Sequence, residues 1–157
     1  MYRPEKFVED RQAVLADAIR NIQLAALITP VSEAMEGTHV PFVVREEGSQ
    51  IILETHVARA NTHWKAAGNG AKSIAIFQGP HAYVSPSFYP SKLEHGKVVP
   101  TWVYIVVHAH GVLETIDDPS ELLHHLNNLT DNNEFDRDEP WSVSDAPERY
   151  LLSLIHI

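Results

Sequence analysis

A chain of 157 residues with 44% hydrophobic and 21% charged content is sized for one domain around one core. Its formal net charge is −9 and its basic residues are scattered singly, which disfavours nucleic acids and membrane surfaces, both of which are held through clustered Lys and Arg. Cysteine is absent, which excludes disulfides, thiolate catalysis and cysteine-based zinc or iron–sulfur centres.

In chain order, residues 1–8 read as an extended arm with no apolar leader, and no later window has the apolar length of a membrane span. A cytoplasmic protein is therefore expected. From Asp10, a plausible N-cap, the spacing of Val14, Leu15, Ala18, Ile19 and Ile22 predicts an amphipathic helix. Leu24–Thr29 reads as a strand, Pro30–Gly37 as a turn and Thr38–Arg45 as a second strand. Glu46-Glu47-Gly48-Ser49 is a hairpin signal, followed by a third strand over Ile51–Val57. Ala58–Ala67 reads as a short helix or turn. Ser73–Gln78 is a fourth strand ended by Gly79-Pro80, and Ala82–Ser85 could continue the sheet past that corner.

Trp102–Glu114 is the longest predicted strand, with Val106, His108 and His110 on one face. Asp118-Pro119-Ser120-Glu121 combines three helix-start signals, and Leu122, Leu123, Leu126 and Leu129 supply the apolar stripe. Asp131–Ala146 reads as an acidic linker and Pro147–Ser153 as a last helix. Strands joined by hairpins, with helices mainly at the ends, predict an antiparallel sheet or barrel rather than a doubly wound parallel sheet.

Residues 77–111 carry the densest chemical signal. Tyr83, Phe88, Tyr89, Trp102 and Tyr104 lie among the hydroxyls of Ser85, Ser87, Ser91 and Thr101, a mixture suited to a flat ligand with polar edges. Trp102 and Tyr104 share a strand face, a spacing equally natural for core. Arg59 stands where the chain leaves a strand, between small Ala58 and Ala60, so a phosphate could approach the backbone and meet its guanidinium. A surface ion pair is the plainer reading of Arg59. Asn61 and Thr62 could add hydrogen bonds or cap a short helix. Pro41 inside a predicted strand marks an edge, a bulge or a ligand contact. A histidine-only metal site from His108 and His110 with His56 or His81 is the weaker reading, because no carboxylate stands obviously nearby. No P-loop, Rossmann loop or nucleophile elbow is present.

Six segments together resemble the PaiB-type FMN-binding proteins, often described as negative transcriptional regulators. They are Met1-Tyr2-x-Pro4-x-x-Phe7, Thr38-His39-Val40-Pro41-Phe42, His56-Val57-Ala58-Arg59-Ala60-Asn61-x-x-Trp64, Phe77-Gln78-Gly79-Pro80-His81-Ala82-Tyr83-Val84-Ser85-Pro86-Ser87, Val99-Pro100-Thr101-Trp102-x-Tyr104 and Val107-His108-Ala109-His110-Gly111. The resemblance spans essentially the whole chain, as a single domain over 1–157. It implies a mainly β, α+β fold: a split β-barrel with flanking helices, forming a homodimer with FMN at the subunit interface. It further implies that Arg59 and Asn61 hold the FMN phosphate, that Thr38, His39, Val40 and Pro41 run along the flavin, and that Thr101 and Trp102 line the ring or the ribityl chain. His56 is grouped with this cofactor-binding set.

Two departures from the family pattern stand out. Val103 replaces the usual Asn after Trp102, and the chain is expected to be short at its C-terminus. The leading expectation is an FMN protein with a regulatory or flavin-linked redox role. A flavin-reductase-like oxidoreductase and a haem-binding split-barrel protein are the alternatives. Direct DNA binding is not expected, given the charge and the lack of a basic recognition helix.

Overall fold

The computed structural model describes residues 1–48, 50–68 and 70–147. Helix α1 (Gln12–Ile22) leads into β1 (Leu24–Val31), β2 (Ala34–Pro41), β3 (Val43–Glu47) and β4 (Gln50–Glu54). A short helix α2 (His63–Ala67) precedes β5 (Lys72–Val84), α3 (Ser91–His95), β6 (Thr101–Val112) and α4 (Pro119–Glu134). The strands form a four-stranded antiparallel sheet in the order β2-β1-β5-β6 and a separate antiparallel hairpin, β3-β4. Four helices accompany them, and no barrel closes among the described residues.

The core forms where α1 lies on the sheet. Ala25, Leu27 and Thr29 alternate inward along β1, meeting Ala75 and Phe77 of β5 and Val107 of β6. Phe77 is fully buried, and its ring meets Phe42 edge-on at 5.4 Å. On α1 the predicted stripe faces the core through Leu15, Ala18, Ile19 and Ile22, while Val14 is exposed and Ala16 is buried in addition. Asp10 does not cap this helix; Arg11 holds the cap position without a side-chain bond, and the Asp10 carboxylate pairs with Arg3 at 3.1 Å. The N-terminal arm contains one 3-10 turn over Glu5–Phe7 and is otherwise irregular.

Three boundaries differ from the sequence reading. The β1–β2 turn is only Ser32-Glu33, with Ser32 at φ 52°, so β2 begins at Ala34. Pro30 is part of β1, beyond the last pair with β5 at Ile28–Ile74, where a strand with a single neighbour tolerates a residue that has no N–H to donate. The second predicted strand is two: Pro41 ends β2 at the sheet edge, and the chain bends at Phe42 into the detached hairpin. Helix α4 runs through the start of the predicted acidic linker to Glu134, and a 3-10 turn with a capping box follows at Val143–Asp145. The last predicted helix lies almost wholly outside the described residues.

β5 continues past Gly79-Pro80 to Val84, with an irregularity in its pairing to β6 between Gln78 and His81. Beyond Phe77 it has no β1 partner. Residues 78–84 and 101–106 therefore project from the sheet as a two-stranded ribbon.

Candidate functional site

The segment between β4 and α2 is pinned by side chains at each turn. Thr55 Oγ1 donates to the Pro41 carbonyl at 2.6 Å. The Asn61 amide N–H closes a turn on the Ala58 carbonyl at 2.8 Å, and its side-chain oxygen accepts from the His63 N–H at 2.8 Å. The Trp64 indole donates to the Arg59 carbonyl at 3.3 Å. This is an Asx-type turn, so Asn61 rather than Thr62 serves the start of α2. At five residues, α2 is too short for its dipole to add much to anion binding.

Beneath the turn runs a buried polar chain that sequence reasoning missed. Ser73 Oγ lies 2.7 Å from Thr29 Oγ1, which lies 2.9 Å from His63 Nε2. His63 Nδ1 lies 2.9 Å from Thr38 Oγ1, which also accepts from the Asn61 amide nitrogen at 3.4 Å. Thr29 and His63 are almost fully buried, so each requires these partners. Asn61-x-His63 is the one local signal that could have exposed the arrangement. Thr29 has the look of any β-branched strand residue, and its partners are far away in sequence.

Arg59 sits on the exposed outer side of this turn, flanked by exposed Ala58 and Ala60. One of its guanidinium N–H groups meets Asp117 at 3.3 Å, and the guanidinium makes no other hydrogen bond among the described residues. Thr38, half-buried, and His39, exposed, lie on the edge strand β2 beside this turn, with Val40 buried in the core and Pro41 closing the strand. His56 turns the other way. Its Nδ1 lies 3.1 Å from Nε2 of His125 on α4, and burial holds it below the ordinary imidazole range. His125 is pushed down to about 4, by burial first and by the neighbouring His56 second.

Thr101 and Trp102 are elsewhere, on the projecting ribbon. Trp102 pairs with Tyr83, and Tyr104 with His81, so all four rings share one face. Trp102 stands edge-on to His81 at 5.8 Å and to Tyr83 at 6.0 Å. Nothing among the described residues covers the ribbon: Trp102 is 58% and Tyr104 62% exposed, and Val103 and Ile105 are exposed as well. An apolar surface of this extent on a projecting ribbon marks a contact site. Within one chain the two groups are far apart. Thr38 is level with Ala75 through Leu27, and Trp102 with Tyr83, eight residues further along β5, roughly 26 Å at about 3.3 Å per residue.

His108 and His110 do share a strand face, their rings 6.5 Å apart, but no group of three metal-ligating side chains forms among the described residues. A cleft of about 870 Å³ opens between the β3–β4 hairpin, β6 and α4. Its lining includes none of Thr38–Pro41, Arg59, Asn61, Thr101 or Trp102. No helix among the described residues is long and apolar enough to cross a membrane.

Comparison with known proteins agrees with the grouping of these segments. A family model described as "Putative FMN-binding domain" matches residues 1–156. An uncharacterised protein of Saccharomyces cerevisiae is 36% identical over 118 residues, covering 74% of this chain and 70% of that protein. One from Emericella nidulans is 29% identical over 187 residues, covering 96% and 74%. Protease synthase and sporulation protein PAI 2 of Bacillus subtilis is 26% identical over 140 residues, covering 89% of this chain and 65% of that protein. A match along nearly the full chain, joined to the Bacillus relative, places the protein in the PaiB-type FMN-binding family, with FMN as its cofactor.

Proposed function

We propose that two copies of this chain hold FMN between them, with the phosphate on Arg59 of one protomer and the flavin against the aromatic ribbon of the other. The carrying observation is the separation of the two residue groups within one chain, together with an aromatic ribbon that nothing among the described residues covers. The donor set fits the cofactor. Arg59 offers a half-exposed guanidinium on a turn with small neighbours, and its ion pair with Asp117 is exposed and therefore easily exchanged for a phosphate. The ribbon offers flat rings and the Thr101 hydroxyl for a planar ligand.

Each protein group then has a distinct task. Arg59 supplies charge and fork-shaped donors to the phosphate. Asn61, its side chain already bonded to Thr38 and the His63 N–H, adds to phosphate binding chiefly by fixing the turn. Thr38, His39, Val40 and Pro41 form the β2 edge along which the flavin lies, and His56 supports the same segment from behind. Thr101 and Trp102 line the ring or the ribityl chain, and Val103 removes an amide that the family pattern offers there. When bound, FMN supplies one- and two-electron redox chemistry, and the chain positions it and excludes water.

The finer fold assignment is a split barrel. Its support is that β4 and β6, each at the end of its sheet, both line the 870 Å³ cleft, as strands on either side of an open seam would. A regulatory role in the cytoplasm is the reading suggested by a relative whose name refers to protease synthase and sporulation. The net charge of −9 favours a protein or metabolite as the partner in that role over DNA. Protein incubated with FMN and then desalted is expected to keep a flavin absorption band and to sediment as a dimer. A colourless monomer after the same treatment would overturn the proposal.

A further inference from the structure

Helix α4 touches the Arg59 segment at two points, and nothing in the family match assigns it a role there. Asp117, one residue before the N-cap, meets Arg59 at 3.3 Å, and His125 in the middle of the helix meets His56 at 3.1 Å. Elsewhere α4 has a modest footing, mainly on β3 and on the 3-10 turn that follows it. The two histidines therefore form a principal attachment between this helix and the segment that carries Arg59 and Asn61. We propose that His125 is a positioning residue for the phosphate-binding turn and that the His56–His125 contact makes this positioning sensitive to pH.

The geometry of the pair supplies the sensitivity. Only one N–H can lie between His56 Nδ1 and His125 Nε2. The other ring nitrogen of His125, Nδ1, is buried with no hydrogen-bond partner among the described residues. A neutral His125 that donates from Nε2 leaves only a bare lone pair at Nδ1. A protonated His125 would place an N–H there with no acceptor, and a doubly protonated pair would set two N–H groups against each other.

The charged and titratable neighbours do not supply a stable counterion. Glu54 on β4 draws His125 toward protonation, but its carboxylate already accepts from Arg45 Nε on β3 at 2.6 Å. His124 on α4 opposes protonation, and its Nε2 is engaged with Asn128 at 3.1 Å. Glu121, one turn earlier on α4, is exposed at the cleft rim, and Asp117 is committed to Arg59.

The sign follows directly. Both imidazoles are held below their ordinary value of 6.5, His125 to about 4, so the docked state prefers them neutral. A released α4 lets them titrate normally. Docking is therefore complete above pH 6.5 and is lost progressively as the pH falls from 6.5 toward 4. Each pH unit in that window multiplies the released population by up to about tenfold per imidazole.

The inference rests on the proposed FMN site for its consequence but not for its detection. Hydrogen exchange, corrected for intrinsic rates, would be followed at pH 7.5 and 5.0, where carboxylates remain ionised, with FMN affinity measured in parallel. In the unaltered protein at pH 5.0, amides of α4 and of residues 55–62 are expected to exchange about tenfold faster, with β1 and β5 unchanged. FMN affinity should fall in proportion to the fraction of α4 still docked, which the exchange rates give. His125→Gln, which can still donate to His56 but cannot be protonated, should keep near-normal exchange and affinity at pH 7.5 and lose the His125 share of the acid response, leaving only that of His56.

Acid loosening that is uniform across the sheet, or that persists undiminished in His125→Gln, would overturn the inference. So would FMN affinity that stays constant where exchange shows α4 mostly released. If FMN binds at neither pH, the proposed cofactor site fails, and the exchange pattern alone still decides whether His125 ties α4 to the segment. The wild-type comparison across pH decides the matter even if the variant does not fold.

Discussion

Arg59 and His63 lie four residues apart and carry opposite kinds of risk. Arg59 is exposed and its ion pair with Asp117 is solvent-screened, so Arg59→Ala should leave thermal stability within about 0.5 kcal/mol of wild type. Its loss should cost the phosphate a charge-assisted contact of about 1.5–3 kcal/mol, seen as roughly 10- to 100-fold weaker FMN binding in a fluorescence titration. His63 is buried between two threonine hydroxyls. His63→Ala opens a cavity and takes one of two hydrogen-bond partners from buried Thr29, so urea unfolding should report a loss of about 3 kcal/mol. Of the two sequence readings of Arg59, the surface ion pair is what the chain forms, with Asp117. His63 was not legible, because its partners Thr29 and Thr38 come from two strands far from it in sequence. His56 shows the same limit: the segment reveals a histidine near the site but not that it faces α4.

At the level of elements, local signals with a fixed stereochemistry were readable and long-range ones were not. Asp118-Pro119-Ser120-Glu121 starts α4 as its spacing predicts, with the Asp118 carboxylate accepting from the Ser120 and Glu121 N–H groups. Those bonds, the Ser120 hydroxyl first, hold Asp118 below the usual carboxylate range. The stabilisation they bring is present above that range and is lost as the pH falls through the depressed value. Asp118→Ala should therefore fray the first turn of α4 at neutral pH, visible as faster exchange at residues 121–124. The end of α4 was hidden by polar residues that serve the helix itself, since Asn127 and Asn133 donate to carbonyls one turn back. The β1–β2 turn was hidden because Ser32 takes a left-handed conformation that Gly or Asn would have announced. Gly79 marks the corner between sheet and ribbon for a steric reason: a Cβ there would stand 3.0 Å from Ile22 Cδ1 and 3.3 Å from the Ile105 carbonyl oxygen. The Ile22 methyl can move and the backbone oxygen cannot move as freely, so Gly79→Ala should lower stability by about 1–2 kcal/mol in chemical denaturation.

For the whole molecule, the pattern of antiparallel hairpins with helices was expected from turn spacing and is what the chain forms. What the periodicity could not give was the partition into a four-stranded sheet and a detached hairpin, which depends on the bend at Phe42. Nor could it tell that Trp102 and Tyr104 face outward rather than into the core, since a strand pattern records two faces without saying which is covered. Their exposure, together with a separation from Thr38 of roughly 26 Å along the sheet at about 3.3 Å per residue, is the reason the site is proposed to be shared between protomers.

That claim is tested most directly by complementation. Arg59→Ala and Trp102→Leu chains would be prepared separately, then unfolded and refolded together, and FMN bound per chain would be measured after desalting. A shared site predicts little flavin on either variant alone. In the mixture, binding should recover toward about a quarter of the wild-type sites, because random pairing makes half the dimers mixed and each mixed dimer has one intact site. A mixture that binds no more FMN than the two variants separately would contradict the account and place the whole site within one chain.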